Sequence, residues 1–152
     1  MASQIRIRDV SAESSSGIMA HYRTLSLGAA AIFLIVGMAF LLFPSGVLAF
    51  FNGISQGLGL KPSVTEVPGL YLALTVGYMS TVTILAVQMA RNPTSWVFPL
   101  LLAQAKAASS FFSLVFYIFS QPSFILLANF AVDGMIAAAA FAFYRKIKRM
   151  NP

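Results

Sequence analysis

Four long apolar segments restrict the folds open to this chain more than any other feature of its sequence. They cover residues 25–43, 68–90, 97–120 and 122–144. A helix needs about 20 predominantly apolar residues to cross the hydrocarbon core of a bilayer, and each segment has that length. Only 9% of the residues are charged, whereas a soluble domain carries about 25%. The sequence therefore predicts an all-α, polytopic membrane protein with four transmembrane helices.

The connection between the first two segments has a different composition. Residues 44–69 are rich in Gly and Pro, which interrupt a long helix. Its first half nevertheless carries apolar residues at roughly helical spacing, namely Val47, Leu48, Phe50, Phe51, Ile54 and Leu58. This pattern predicts a short interfacial helix between helices 1 and 2, lying on the bilayer and followed by a loop.

The basic residues predict how the chain is oriented. Eight of the ten Lys and Arg lie in residues 1–24, in residues 145–152 or at Arg91 between the second and third segments. Cytoplasmic segments carry such an excess of Lys and Arg. We therefore expect the protein to lie in the prokaryotic cytoplasmic (inner) membrane, with both termini in the cytoplasm. The predicted domains are a flexible N-terminal tail over 1–24, a transmembrane domain over 25–144 and a basic C-terminal tail over 145–152.

Two charged side chains lie inside the apolar segments, Lys106 in the third and Asp133 in the fourth. Each costs about 2.5–3.5 kcal/mol at the centre of a membrane helix. The short link at residues 120–122 makes these two helices antiparallel neighbours. Counted from their cytoplasmic ends, Lys106 and Asp133 lie at depths of roughly 14 and 16 Å. We therefore predict an intramembrane salt bridge between them.

Further polar residues accompany this pair. The predicted polar cluster comprises Lys106, Ser110, Ser113 and Tyr117 on the third segment and Asn129 and Asp133 on the fourth. Spacings of three and four residues place such side chains on one face of a helix. Hydroxyl and amide side chains often form hydrogen bonds between membrane helices. The cluster favours a structural role first, and a proton, ion or substrate site second.

Small residues recur every four positions on two of the segments. They are Gly69, Ala73 and Gly77 on the second segment and Gly134, Ala138 and Ala142 on the fourth. Such stripes allow helix backbones to approach closely. They predict helix packing, either within this bundle or against a partner subunit or a second copy of the chain.

Several kinds of chemistry are excluded by composition. The chain has no cysteine and one histidine, so disulfides, thiolate metal sites and multi-histidine metal sites cannot form. No phosphate-binding loop or nucleophile–base set is present, and we predict neither catalytic residues nor a metal. No cofactor is predicted. The Phe-rich segment from Ser109 to Ser120 leaves a bound lipid, quinone or pigment as an alternative.

The C-terminal basic residues predict contacts with lipid. These headgroup-binding residues are Arg145, Lys146, Lys148 and Arg149. Each basic residue near an anionic surface contributes about 1 kcal/mol of attraction. Membrane topology accounts for the net charge of +6, and we expect no nucleic-acid partner. The expected partners are membrane lipids and a membrane protein or a second copy of the chain.

These patterns leave three functions open. The sequence favours a non-catalytic accessory or structural subunit of a larger membrane complex. The alternatives are a small transporter or proton-conducting protein that uses the Lys106–Asp133 pair, and, more weakly, a membrane enzyme acting on a lipid or quinone. The four spans, the short loops and the stretch LLFPSGVLAFF resemble small bacterial membrane proteins of the DoxX-like kind. This resemblance is one of organisation and implies no residue roles.

Overall fold

The chain folds into helices throughout the part that the structure describes. A computed structural model describes the backbone of residues 2–65, 68–120 and 122–150, and the side chains of these residues from 17 onward except 18. Within those ranges there are five helices and no strands. The helices are α1 (Ala2–Leu42), α2 (Pro44–Gly57), α3 (Gly69–Arg91), α4 (Val97–Phe119) and α5 (Phe124–Met150).

Four of these described helices are long and apolar enough to cross a membrane. The candidate spans are Met19–Leu42, Gly69–Arg91, Val97–Phe119 and Phe124–Met150. They correspond to the four predicted segments, and α2 is the short helix predicted between helices 1 and 2. The fold class is confirmed, and the protein is a multi-pass membrane protein. Many large apolar side chains are exposed on the outer faces of the spans, as lipid contact requires.

Both terminal segments continue the neighbouring spans as helix. Helix α1 begins at Ala2 and so includes the residues of the predicted N-terminal tail. The reason is that residues 2–24 contain no proline and join a long span, and adding residues to an existing helix costs little. Helix α5 likewise continues to Met150. Met1 and the last two residues lie outside the described residues.

Local sequence explains how α2 begins and ends. Pro44 stands at the first position of α2, where its missing N–H costs nothing, and Phe43 before it leaves the helical conformation. Gly59 ends the helix with φ of +69°. The N–H of Leu60 then donates to the Ser55 carbonyl at 2.8 Å, and that of Gly59 to the Gln56 carbonyl at 3.1 Å. These two bonds form a Schellman cap, which needs glycine at the left-handed position.

The spans pack in two pairs, α1 against α3 and α4 against α5. Contacts between α3 and α4 join the pairs. Both termini and the α3–α4 loop lie at one end of the bundle, which we call the termini side. Helix α2 and the α4–α5 turn lie at the other end, the α2 side.

The two halves of the bundle are filled differently. On the termini side the pairs meet in an apolar core, the packed half, formed by Tyr22, Ala30, Val82, Ala86, Met89, Leu102, Ala103, Ala140 and Ile147. On the α2 side the pairs line a partly open cavity, and we call this part the cavity half. Phe33 of α1 belongs to both the core and the cavity lining, so it marks the boundary between the halves.

Helix α2 and the segment after it cover the cavity half. Leu48 of α2 and Ser63 beyond it line the cavity. The Asn52 amide holds this segment, because its Nδ2 donates to the Ser63 carbonyl and its Oδ1 accepts from the Ser63 N–H, both at 2.7 Å. The cover is also tied to α5, since the Phe124 N–H donates to Ser55 Oγ at 3.0 Å. The Lys61 N–H donates to the Pro122 carbonyl at 3.2 Å.

Candidate functional site

The predicted salt bridge is present at the boundary between the two halves. Lys106 Nζ donates to Asp133 Oδ1 at 2.7 Å. The two residues are each 3% exposed. Because α4 and α5 run antiparallel from a short turn, residues at matched distances from that turn face each other. The geometry confirms that the carboxylate in the fourth span has an ionic partner.

Aromatic rings surround the ammonium group on its other sides. Lys106 Nζ lies 4.8 Å from the ring centroid of Phe33 and 5.1 Å from that of Tyr78. Cation–π contacts contribute up to about 2 kcal/mol each when they are shielded from water. The two rings come from α1 and α3, whereas the carboxylate comes from α5. Lys106 therefore joins all four spans at one point.

Only one oxygen of the Asp133 carboxylate has a hydrogen-bond partner among the described residues. Its Oδ2 is buried and has no hydrogen-bond partner among the described residues. A buried acceptor without a partner costs about 1–3 kcal/mol, and more when it is charged. The ion pair as a whole is neutral, yet it presents one strong, unsatisfied acceptor. A group that donates a hydrogen bond to Oδ2 would remove this cost.

An amide extends the polar surface toward the α2 side. Asn129 Nδ2 donates to Ser113 Oγ at 2.7 Å and to Ser109 Oγ at 3.2 Å. The Ser113 hydroxyl in turn donates to the Ser109 carbonyl at 2.8 Å. Since Asn129 lies about one turn from Asp133, the amide and the carboxylate form a continuous polar strip along α5.

Ser110 and Gly134 bring the two helices close together. The Ser110 hydroxyl donates to the Phe130 carbonyl at 2.8 Å. This carbonyl lies one turn before Gly134, and a Cβ at Gly134 would stand 3.1 Å from Ser110 Oγ. The missing side chain at Gly134 thus leaves room for the serine. Of the six small stripe residues, Gly134 is the one that meets a polar partner across the α4–α5 contact.

The cavity next to the ion pair has a volume of about 570 Å³. Ligand sites in proteins are typically about 300–1,000 Å³, mostly apolar, with a few polar groups that orient the ligand. This lining has that character. Its polar members are Ser63, Thr75, Tyr78, Lys106, Ser109, Ser113, Asn129 and Asp133, and the remainder are Ile, Leu, Val, Phe and Met. Residues of α1, α2, α3, α4 and α5 all contribute.

The other predicted residues lie elsewhere. Tyr117 is half-buried one turn beyond Ser113 and does not line the cavity. On α3, Gly69, Ala73 and Gly77 are exposed, and nothing outside the helix lies within 4 Å of a Cβ at Gly77. Ala138 and Ala142 on α5 are also exposed. The five small residues therefore face outward from the bundle, whereas Tyr117 is partly covered.

Several residues of the site were not predicted. Tyr78 contacts Lys106 and also donates from its hydroxyl to the Ala105 carbonyl at 3.2 Å. A tyrosine in the middle of an apolar span, away from the interfaces that tyrosine prefers, was a signal available in the sequence. Phe33 and the covering residues Leu48 and Ser63 carried no such signal, because their role depends on how α1 and α2 pack.

The predicted headgroup-binding residues lie together at the end of α5. Arg145, Lys146, Lys148 and Arg149 are all exposed on the termini side. Lys148 Nζ lies 5.5 Å from the ring centroids of both Trp96 and Tyr144. Three of the four basic residues line a common pocket with Phe141 and Tyr144.

Comparison with known proteins adds no relative. No family model, curated protein or solved structure matches the chain. The fold and the site define a multi-pass membrane protein with four membrane-crossing helices in the described residues and a buried ion pair beside an interhelical cavity.

Proposed function

We propose that this protein binds a small, neutral, lipid-soluble molecule within the membrane, in the cavity beside Lys106 and Asp133. The carrying observation is a cavity of ligand size whose lining includes Asp133, one carboxylate oxygen of which is buried without a hydrogen-bond partner among the described residues. Lys106 and Asp133 cancel each other's charge, so a net charge on the ligand would have no counterion in the described lining. The favoured ligand has an apolar body and a hydroxyl or similar donor that reaches Oδ2.

Such a ligand suits the lining of the cavity along its length. The apolar side chains accommodate its body, and Asn129 and the serines of α4 offer further hydrogen bonds to a polar end. Long-chain alcohols and quinols belong to this chemical class. The transport and enzyme hypotheses differ in what happens to the ligand after it binds.

Two adjacent leucines on α5 provide a matched test. Leu126 lines the cavity, whereas Leu127 is exposed and does not line it. Leu126→Trp should fill the cavity, and Leu127→Trp should place the same bulk in lipid. We would extract the wild type and both variants gently from the native membrane and analyse the bound small molecules by mass spectrometry.

The expected result is a molecule present with the wild type and Leu127→Trp and absent from Leu126→Trp. Its mass should shift after acetylation, because the proposal requires a donor such as a hydroxyl. If the three extracts are identical while all three proteins are folded, no ligand occupies the cavity and the proposal is wrong. A ligand without any hydrogen-bond donor would overturn the role given to Asp133.

We also propose, as a second candidate, the role of subunit in a larger membrane assembly. The observation that favours it is the outward position of Gly69, Ala73 and Gly77 on α3, with open space beside both glycines. Small residues of this kind allow another membrane helix to pack closely. Gly77→Leu should then release a stoichiometric partner seen by native mass spectrometry. Gly28→Leu is the control, since Gly28 is exposed on α1 with equally open space. Equal recovery of the partner with both variants would contradict this role.

A further inference from the structure

A second pocket lies on α5 at the termini side and is independent of the intramembrane cavity. It has a volume of about 380 Å³ and is lined by Phe141, Tyr144, Arg145, Lys148 and Arg149. Spacings of three and four residues place these side chains on one face of the helix. Lys146, which carries the same charge in the same helical turn, does not line the pocket.

The Lys148 ammonium is held in place by its neighbours. Its Nζ donates to the Tyr144 hydroxyl at 3.1 Å. It also lies 5.5 Å from the ring centroids of Tyr144 and Trp96, and these two rings contact each other at 6.0 Å between centroids. Because Trp96 comes from the α3–α4 loop, the position of Lys148 depends on the tertiary fold and not on α5 alone.

The pocket concentrates positive charge without a described counterion. Within the ranges that the structure describes, the one ion pair is that of Lys106 and Asp133. The C-terminal end of a helix attracts basic residues through its dipole. That effect acts on Lys146 as well, so it does not explain why three cations share one face with two aromatic rings.

The side chains along α5 change from apolar to basic in the same order as the parts of a lipid, from acyl chain to phosphate. Phe141 lies nearest the membrane interior, Tyr144 and Arg145 come one turn later, and Lys148 and Arg149 come last. The nine residues from Phe141 to Arg149 span about 12 Å. The polar headgroup region of one leaflet is about 5–8 Å thick, so this distance reaches from the acyl chains past the phosphate level. An arginine fork also binds phosphate oxygens in pairs.

We propose that this pocket binds the phosphate of one anionic glycerophospholipid from the leaflet on the termini side. Arg145, Lys148 and Arg149 contact the phosphate, and Phe141 contacts the upper part of an acyl chain. The apolar lower wall favours a lipid over free phosphate, which has no part that would contact Phe141.

Two lysines separate a defined site from general attraction to a basic tail. Lys148→Gln and Lys146→Gln each remove one charge from exposed positions on the same helix. We would titrate the wild type and both variants in detergent with equal amounts of phosphatidylglycerol and phosphatidylcholine, and count bound lipids by native mass spectrometry. A parallel sample would receive inorganic phosphate in addition.

The wild type should retain one phosphatidylglycerol in preference to phosphatidylcholine. Lys148→Gln should weaken this retention by about tenfold, as expected for losing a charge-assisted hydrogen bond. Lys146→Gln removes only part of the general attraction of the basic residues, since Lys146 does not line the pocket, and should weaken the retention far less. Equal weakening by both variants would show that charge alone attracts the lipid, and would overturn the proposal. Displacement of the lipid by inorganic phosphate would overturn it as well, because the site would then recognise a free anion.

Discussion

The packed half and the cavity half are built from the same four spans but are filled in opposite ways. In the packed half, apolar side chains such as Val82 and Ala86 are completely buried between the helix pairs. In the cavity half, the pairs separate around polar side chains, and α2 covers the opening. Membrane helices gain no hydrophobic free energy from associating in lipid, so close packing must hold the bundle together. The comparison shows that one half supplies this packing and leaves the other half free to hold a ligand.

The ion pair lies where the two halves meet. Lys106 contacts Phe33 and Tyr78 from one helix pair and Asp133 from the other. It therefore closes the packed half on one side and supplies the polar end of the cavity on the other. Stability and ligand binding depend on the same two charges, and variants must separate these contributions.

The largest effect is expected from breaking the ion pair. Lys106→Met leaves the buried Asp133 carboxylate without a partner, which should lower the free energy of unfolding by about 3–5 kcal/mol. The double variant Lys106→Met/Asp133→Leu removes both charges and should recover most of that loss. The measurement is unfolding in mixed micelles followed by loss of helical circular dichroism. A single variant as stable as the wild type would show that the pair contributes nothing to the bundle.

Exchanging the two charges sharpens this result. Lys106→Asp/Asp133→Lys keeps an ion pair but turns a carboxylate toward the electron-rich faces of Phe33 and Tyr78. We expect stability between that of the single and the apolar double variant. Full recovery by the exchange would mean that the aromatic rings add nothing to the binding of Lys106.

The next largest change in stability is expected from truncating one leucine in each half. Leu102 is 2% exposed in the packed half, and Leu102→Ala should cost about 2 kcal/mol or more because it opens a new void. Leu126→Ala enlarges a cavity that already exists and should cost less than about 1 kcal/mol, because its side chain has fewer packing partners to lose. The same unfolding titration measures both. Equal losses would contradict the division into two differently packed halves.

A smaller effect is expected from the amide in the cavity half. Asn129→Ala removes the two hydrogen bonds to Ser113 and Ser109, and such interhelical bonds contribute about 0.6 kcal/mol each on average. We therefore expect a loss of about 1 kcal/mol. Gln104→Ala is the control, since Gln104 is an exposed amide on the neighbouring helix α4 and should change stability by less than about 0.5 kcal/mol. A larger loss for Gln104→Ala would indicate that this outer face is covered.

The spans and the ion pair could be predicted because single features determine them. Length and hydropathy identify a span, and two charges on antiparallel neighbours at similar depth must meet. Of the two partners of Asn129, Ser113 belonged to the predicted polar cluster and Ser109 did not. The cavity could not be predicted in the same way, because it depends on how far the α1–α3 pair separates from the α4–α5 pair, which no periodicity reports.

The small-residue stripes show the same limit more sharply. Gly134 and Gly77 belong to similar patterns on α5 and α3, yet Gly134 meets Ser110 and Gly77 faces open space. Sequence spacing identifies a face on which a helix is able to approach another. It does not identify which face is used, since that choice depends on the arrangement of all four spans.

The smallest changes in stability are expected from Gly→Ala substitutions at these two glycines, and the changes should have opposite signs. At Gly134 a Cβ would stand 3.1 Å from Ser110 Oγ, so Gly134→Ala should force the serine away from the Phe130 carbonyl. The cost of the lost hydrogen bond should slightly exceed the gain of about 1 kcal/mol from the higher helix propensity of alanine, leaving a net loss of a few tenths of a kcal/mol. Gly77→Ala meets nothing and should raise the stability of the isolated chain by up to about 0.5 kcal/mol. A decrease for Gly77→Ala in the purified homo-oligomer, but not in the monomer, would place a second copy of the chain against the outer face of α3.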